Sequence, residues 1–423
     1  MKLPAEYARR AELNFEVHAR PPDALAAPLR ISYLALLLDS AEREAARAHV
    51  RSLALRYGAT PPGEGANHWA ADLGTFRVKW EQHTEFHRVT FMRDGAGERP
   101  FTDPAIAVVP EDWVAALPGR LIVASDLELL QDADESLAIE TFGAYQLVGS
   151  MVQGGRGMAF TDFRIGSHGF SRFLVHAGSM SAVQAGRNVQ RLLEIDTYRM
   201  MALLALPVAR ALGPALTRWE GRLAEIAARL VEAKPVDEPD LLARLTGLAA
   251  EIEKEEAATR YRFSAAAAYY ALVQRRIAEL REERIEGLQT FREFVERRLA
   301  PAMDTCQSTA ARQEALSRRV ARVTQLLSTR VDLTREEQNR ALLQSMDRRA
   351  RLQLRLQRTV EGLSVAAISY YIVGLVSYAA KALAPGLAID PDRLTALAIP
   401  IVLVLVGVGL ARARRHLKLH DED

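Results

Sequence analysis

The sequence predicts an α+β domain over residues 1–178, a long helical (coiled-coil) stalk over 179–358, and a C-terminal two-helix transmembrane hairpin over 359–423. Three observations carry this reading. The first third alternates apolar and polar residues with a period of two, punctuated by glycine and proline. The middle is rich in Ala, Leu, Arg and Glu. The end holds two uncharged runs, Leu363–Ala380 and Leu394–Ala411, each 18 residues long and near the minimum that spans a bilayer core of about 30 Å as a helix.

In the first third, "RISYLALLLDS" reads as an apolar strand. "SAEREAARAHVRSLALRYG" reads as a helix entered through Ser40 and closed by Gly58. "HWAADLG" and "TFRVKW" continue as strands, "PEDWVAALPG" is a short helix with proline at its start, and "RLIVASDLELL" is strand-like. "QLVGSMVQGG", "GMAFTDFRIG" and "FSRFLVHAG" are three further β-prone runs separated by glycines. Helices on an antiparallel or mixed sheet follow from this order.

From Ser179 three long helical segments are expected, broken at Pro207 and Pro214, at "AKPVDEPD" (233–240) and at Pro301. In the last, Leu316, Val320, Val323 and Leu327 alternate steps of four and three, a coiled-coil seam through which the stalk is expected to form a homo-oligomer. The pattern slips after Val331 and recovers around Leu342 and Met346. Twelve arginines lie between Arg312 and Arg358, spread among acidic and apolar residues. With a net charge of only +2, they read as a solvated face near anionic lipid, and no nucleic-acid partner is expected.

The N-terminal residues carry Glu6, Arg9, Arg10 and Glu12 where an export signal would be apolar, so none is expected. Cys306 is the only cysteine, which suits a reducing cytoplasm. Arg348, Arg349, Arg351, Arg355 and Arg358 precede the first apolar run, and Arg412, Arg414, Arg415 and Lys418 follow the second. The connection between them has only Lys381 and Arg393, with Pro385, Gly386 and Pro391 forming a short outer loop. Both ends are therefore expected in the cytoplasm, the α+β domain with them, at a bacterial inner membrane with the lipid bilayer as partner. Ser369, Ser377 and Lys381 are the candidates to line a pore or span contact, and the small residues Gly362, Ala366 and Ser369 offer a surface for helix packing.

The chemistry is sparse. No phosphate-binding loop, dinucleotide fingerprint, nucleophile elbow or H-E-x-x-H helix is present. "WEQHTEFH" (80–87) raises one candidate: on a continuous strand His83, Glu85 and His87 project from one face, two imidazoles and a carboxylate suited to a divalent metal. A reversal near Gln82–Thr84 would take His83 out of line with His87, and a polar strand face explains the residues without metal. "HARPP" (18–22) is an extended segment from which His18 or Arg20 can reach a ligand, or which locks the core. Asp162 and Arg164 sit two apart on an expected strand with Arg172 on the next, either a charge-paired sheet surface or a ligand site. Asp126 and Glu128 repeat that spacing in "ASDLELL", and Glu81 is a further ligand-binding candidate.

"NFEVHARPP", "KWEQHTEF", "TDFR…GFSR", "LLEIDTYRMMALLALPVAR" and "QNRALLQSMDRRARLQLRLQRTVEGLSVAAISYYIVGL" together resemble the bacterial family catalogued as domain of unknown function 3422, described as uncharacterised membrane-anchored proteins. The resemblance runs over nearly the whole chain and implies no activity. Within its motifs fall His18, Arg20, Trp80, Glu81, His83 and Glu85; His87 lies outside them. The layout is also similar to that of CorA-type magnesium channels, but their Gly-Met-Asn signature at the outer end of the first span is replaced here by "SYAAK", where Lys381 disfavours cations. The function classes that follow are a membrane-tethered scaffold or sensor, a CorA-like conduit, or a metal-dependent enzyme using the His83/Glu85 strand.

Overall fold

The computed structural model describes residues 4, 6–10, 14, 23–132, 134–143, 147–383 and 390–418. It divides into two units, one of residues 1–233 with 240–324, the other of residues 234–239 with 325–423.

The first unit is built on a nine-stranded sheet in the order β2-β3-β4-β1-β5-β8-β7-β6-β9. The strands are β1 (Leu29–Leu37), β2 (His68–Asp72), β3 (Arg77–Gln82), β4 (Phe86–Asp94), β5 (Arg120–Leu130), β6 (Val148–Val152), β7 (Gly157–Thr161), β8 (Ser171–His176) and β9 (Glu283–Arg284). β5 and β8 run parallel and the other strand pairs antiparallel, so the sheet is mixed. β1 is central and covered on both faces, which is why its sequence is a nearly continuous apolar run.

One face of the sheet is covered by α1 (Arg43–Arg56), a 3-10 turn at Ala105–Val108, and α2 (Glu111–Ala115). Leu34, Val50, Leu53, Trp80, Phe91 and Trp113 form its core. The turn into α1 is held by Asp39 rather than Ser40, because Glu42 reaches back to accept from the Asp39 amide at 2.8 Å. Gly58 closes the helix as expected, at φ +66° where a side chain would be strained. Farther along the same face α3 (Glu135–Phe142) contributes to a second cluster of Ala138, Leu147, Phe160, Leu174 and Leu288. The opposite face is covered by α4 (Ala182–Leu203), started by a reciprocal cap between Ser181 and Gln184.

The remaining helices are α5 (Ala205–Glu232), α6 (Glu238–Leu280), α7 (Phe291–Arg298), α8 (Ala300–Leu383) and α9 (Pro391–Lys418). The break expected at Pro207 falls just ahead of it, at Leu204 between α4 and α5, and the one expected at Pro214 does not occur. Pro207 is the third residue of α5, where its missing N–H has no intrahelical acceptor to lose, and Pro214 is carried within the helix between buried Leu212 and Leu216. Within the first unit α5, α6 and α8 are tied together: Trp219 donates to Glu251 at 3.1 Å, Arg312 to Glu220 at 2.7 Å, and Thr259 to Gln313 at 3.2 Å. Leu316 and Val320 are buried there, so this part of the expected seam is filled by the chain itself. Leu342 and Met346, farther along α8, are exposed.

Three helical stretches are long and apolar enough to cross a membrane by length and composition: Ala182–Glu232, Ala300–Ala382 and Asp392–Arg412. The first was not expected. A third of its apolar window (33%) is buried within the chain, against 11% and 6% for the others. Met201, Ala202, Ala205, Ala209, Leu212 and Leu216 do the burying, which makes it a core-facing stretch. The other two contain the runs read from the sequence, and they leave Tyr370, Tyr371, Leu375, Leu397, Val404 and Leu405 exposed. Pro385 and Gly386 lie outside the described residues.

Candidate functional site

The opening candidate, His83 with Glu85 and His87, is divided by a reversal. β3 ends at Gln82 and β4 begins at Phe86, with the His83 amide donating to the Phe86 carbonyl at 2.8 Å. The three side chains therefore do not share one strand face. His83 stacks on Phe86 at 4.4 Å. Glu85 accepts from the Arg262 guanidinium at 2.7 and 3.0 Å. His87 points into the core, where its Nδ1 accepts from Trp80 Nε1 at 3.0 Å and its Nε2 reaches the Pro118 carbonyl at 2.9 Å. Burial holds this imidazole down at about 4, so it is neutral and both nitrogens are engaged. Among the described residues no three His, Cys, Asp or Glu side chains converge as metal ligands. His18 and Arg20 lie outside the described residues.

Glu81 faces the other way, towards α4. Arg88, its register partner on β4, donates Nε–H to Glu81 Oε2 at 2.6 Å and lies 3.5 Å from Glu194 of α4. Arg276 of α6 closes on the second Glu194 oxygen, and Gln190 donates to the first at 2.8 Å. Beside this cluster, Asp196 accepts from Ser125 at 2.7 Å, from Ser171 at 2.8 Å and from Arg199 Nε at 2.8 Å. A cavity of about 40 Å³ adjoins Glu81, Arg88 and Tyr33, room for a few waters at most. Among the described residues this face is a satisfied polar core, apart from Glu81 Oε1, which is buried with no hydrogen-bond partner among them.

The opposite face holds the larger opening. Alternation along β5 sends Ala124, Asp126 and Glu128 to the side of α1 and α3, where the two apolar clusters leave a gap between them. That gap is a cleft of about 610 Å³ lined by Asp126, Arg172, His168, Phe101, Phe170 and Ile106, within the size range of small-molecule sites. Asp126 accepts from Ser32 on β1 at 2.5 Å, and Ser32 in turn accepts the Ile106 amide at 3.1 Å, which anchors the 3-10 turn at the rim. Glu128 accepts the Phe101 amide at 3.1 Å, holding that residue at φ +68°, while its second oxygen is buried with no hydrogen-bond partner among the described residues. Burial pushes Asp126 up to about 6 and Glu128 to about 7.

Arg172 stands beside Asp126 on β8 as its register partner. Its guanidinium lies 5.0 Å from the Phe142 ring and 5.7 Å from the Phe101 ring. It donates to the Thr141 carbonyl at 3.4 Å and lies 3.6 Å from Asp162. Asp162 and Arg164 are not on a strand, because β7 ends at Thr161 and Phe163 turns the chain at φ +52°. Asp162 accepts the Arg164 amide at 3.1 Å, which orients it, whereas the Arg164 side chain is exposed. The sequence marks Asp126 and Glu128 as polar residues in a buried strand. It gives no sign that β8 would pair with β5, or that His168 and Phe170 would close over the pair. Ser369 is buried, Ser377 half-buried and Lys381 exposed on α8.

The model of the family described as protein of unknown function DUF3422 matches residues 5–417. This chain belongs to that family. No curated protein and no solved structure matches it. The DUF3422 description carries no activity, so the cleft on β5 and β8 stands on its own geometry.

Proposed function

We propose that this DUF3422 chain is a membrane-tethered sensor: an α+β unit with a small-molecule cleft, held at the bacterial inner membrane by α8 and α9 with both termini cytoplasmic. The observation that carries the tether is the uncovered apolar window in each of those two helices, of which only 11% and 6% is buried within the chain. Leaving that much apolar surface in water costs roughly 25 cal/mol per Å², and a bilayer removes the cost. The arginines from Arg348 to Arg358 favour the cytoplasmic side of an anionic membrane. The cleft favours a sensor over a plain scaffold, because a scaffold needs no cavity lined by opposed charges. Exposed Leu342, Leu343, Met346, Leu352 and Leu356 on α8 support a homo-oligomer joined ahead of the first span.

Flotation of membranes washed at alkaline pH tests the tether. The chain is expected to float with the vesicles and to leave them only in detergent. Its release by alkali alone would refute the anchor.

A further inference from the structure

The cleft contains two opposite charges that the fold brings side by side and leaves unjoined. Asp126 and Arg172 are register partners on β5 and β8 and both line the opening, yet no ion pair forms between them. Asp126 accepts a single hydrogen bond within the described residues, from Ser32. Arg172 donates one of its five N–H groups within the described residues, to the Thr141 carbonyl, and forms a loose ion pair with the Asp162 carboxylate at 3.6 Å, which is too long for a hydrogen bond and leaves its other donors open. The guanidinium is nevertheless fixed in place by the Phe101 and Phe142 rings. A positioned fork with donors to spare is suited to a carboxylate.

From these contacts we infer that the cleft binds a small zwitterion of amino-acid type, its carboxylate on Arg172, its ammonium on Asp126, and its body against Phe101, Phe170 and Ile106. This rests on the reading of the α+β unit as a binding module. A plain anion would meet the Asp126 carboxylate beside its own charge, with Glu128 behind on the same strand; a plain cation would meet Arg172. A molecule carrying both signs satisfies both walls. Of the other charged groups nearby, Arg30 of β1 is paired with Asp103 and Asp162 with Arg172, while His168, on the exposed loop before β8, lines the cleft and favours the ionised Asp126 carboxylate. Since burial raises Asp126 to about 6, it is mostly ionised at neutral pH and is neutralised by acid.

The test uses the full chain in detergent, titrated calorimetrically with each of the twenty protein amino acids and with hexanoate and hexylamine as single-charge probes. At about pH 7.5 at least one amino acid is expected to bind with a Kd below about 1 mM. That binding should weaken at about pH 5, as Asp126 takes up its proton. Arg172→Gln and Asp126→Asn should each weaken it about tenfold or more; the second is isosteric and keeps the acceptor for Ser32, so its fold is retained. Hexanoate binding as tightly, and tightening in acid, would overturn the zwitterion while leaving a binding cleft. Hexylamine binding as tightly would overturn it too. Absence of heat from every probe at about 10 mM would also overturn it, and the tether would still be judged separately by flotation.

Discussion

Arg88 and Glu81 face each other across β3 and β4 with a 2.6 Å hydrogen bond, and their side chains are only 6% and 3% exposed. Glu194 and Arg276 extend the pair from strand to helix. A buried pair of this kind is weak evidence for net stability, but removing one partner strands the other in a low-dielectric site. Arg88→Ala is therefore expected to destabilise the chain by about 3–5 kcal/mol. Replacing both, as Arg88→Met with Glu81→Leu, should recover much of that loss. Urea unfolding of the two variants checks it, and equal losses would show that the pair itself is the source of stability.

The same pair sets an acid limit. Burial pushes the Glu81 carboxyl up, but the charge and hydrogen bond of Arg88 outweigh it and hold the group below its ordinary value. A depressed carboxyl contributes stability that is present above its unfolded value of about 4.5 and lost as pH falls through the folded one. Glu128 has the opposite sign. Burial raises it to about 7, so its contribution is full below about 4.5 and is lost as pH rises through about 7. Glu128→Gln should flatten stability between those values and raise it at about pH 8 by an amount on the order of 2 kcal/mol. Thermal unfolding across pH measures this. An unchanged profile would mean that Glu128 is not buried as described.

Gly186 lies where the incoming chain crosses α4. A Cβ there would sit 1.7 Å from the Asp23 carbonyl oxygen, and the Leu25 amide bonds to the Ala182 carbonyl at 2.9 Å just beside it. Gly186→Ala cannot be accommodated by a side-chain rotation, since the obstacle is backbone. It should cost about 1–3 kcal/mol and release the segment around Asp23, seen as faster proteolysis near that residue. Wild-type cleavage rates would show that the crossing has room to move.

Much of this fold is legible in the sequence, and the exceptions have physical reasons. β5 matches the run Arg120–Leu130 because β-prone residues bounded by turns leave little choice. β9 is two charged residues, Glu283 and Arg284, that become a strand only because β6 offers an edge. α4 buries Asn188, Glu194, Asp196 and Thr197, polar residues that an amphipathic reading places outside. The cleft was half legible. Asp126 and Glu128 break an apolar strand, but Arg172 joins them through a parallel pairing that no local pattern records. The spacing of His83, Glu85 and His87 suits a strand face, yet the turn between β3 and β4 falls within it.

The heptad seam gives the last prediction. Leu316, Val320, Val323 and Leu327 read as a surface between copies, but Leu316 and Val320 are 1% and 0% exposed within a single chain. Where α8 lies in the first unit it is held by Arg312 to Glu220 of α5 and by Gln313 to Thr259 of α6, so the apolar stripe beside those contacts is already covered. A carboxylate placed at Val320 would be buried without a partner, at a cost of several kcal/mol after relaxation. Val320→Asp is therefore expected to lower the unfolding temperature of the chain, whether or not it associates. Leu342→Asp and Met346→Asp, on the exposed stretch of the same helix, should leave that temperature nearly unchanged and reduce the mass of any assembly. Light scattering with calorimetry on the same samples separates the two. If Val320→Asp dissociates the assembly with no loss of thermal stability, the seam lies between copies after all.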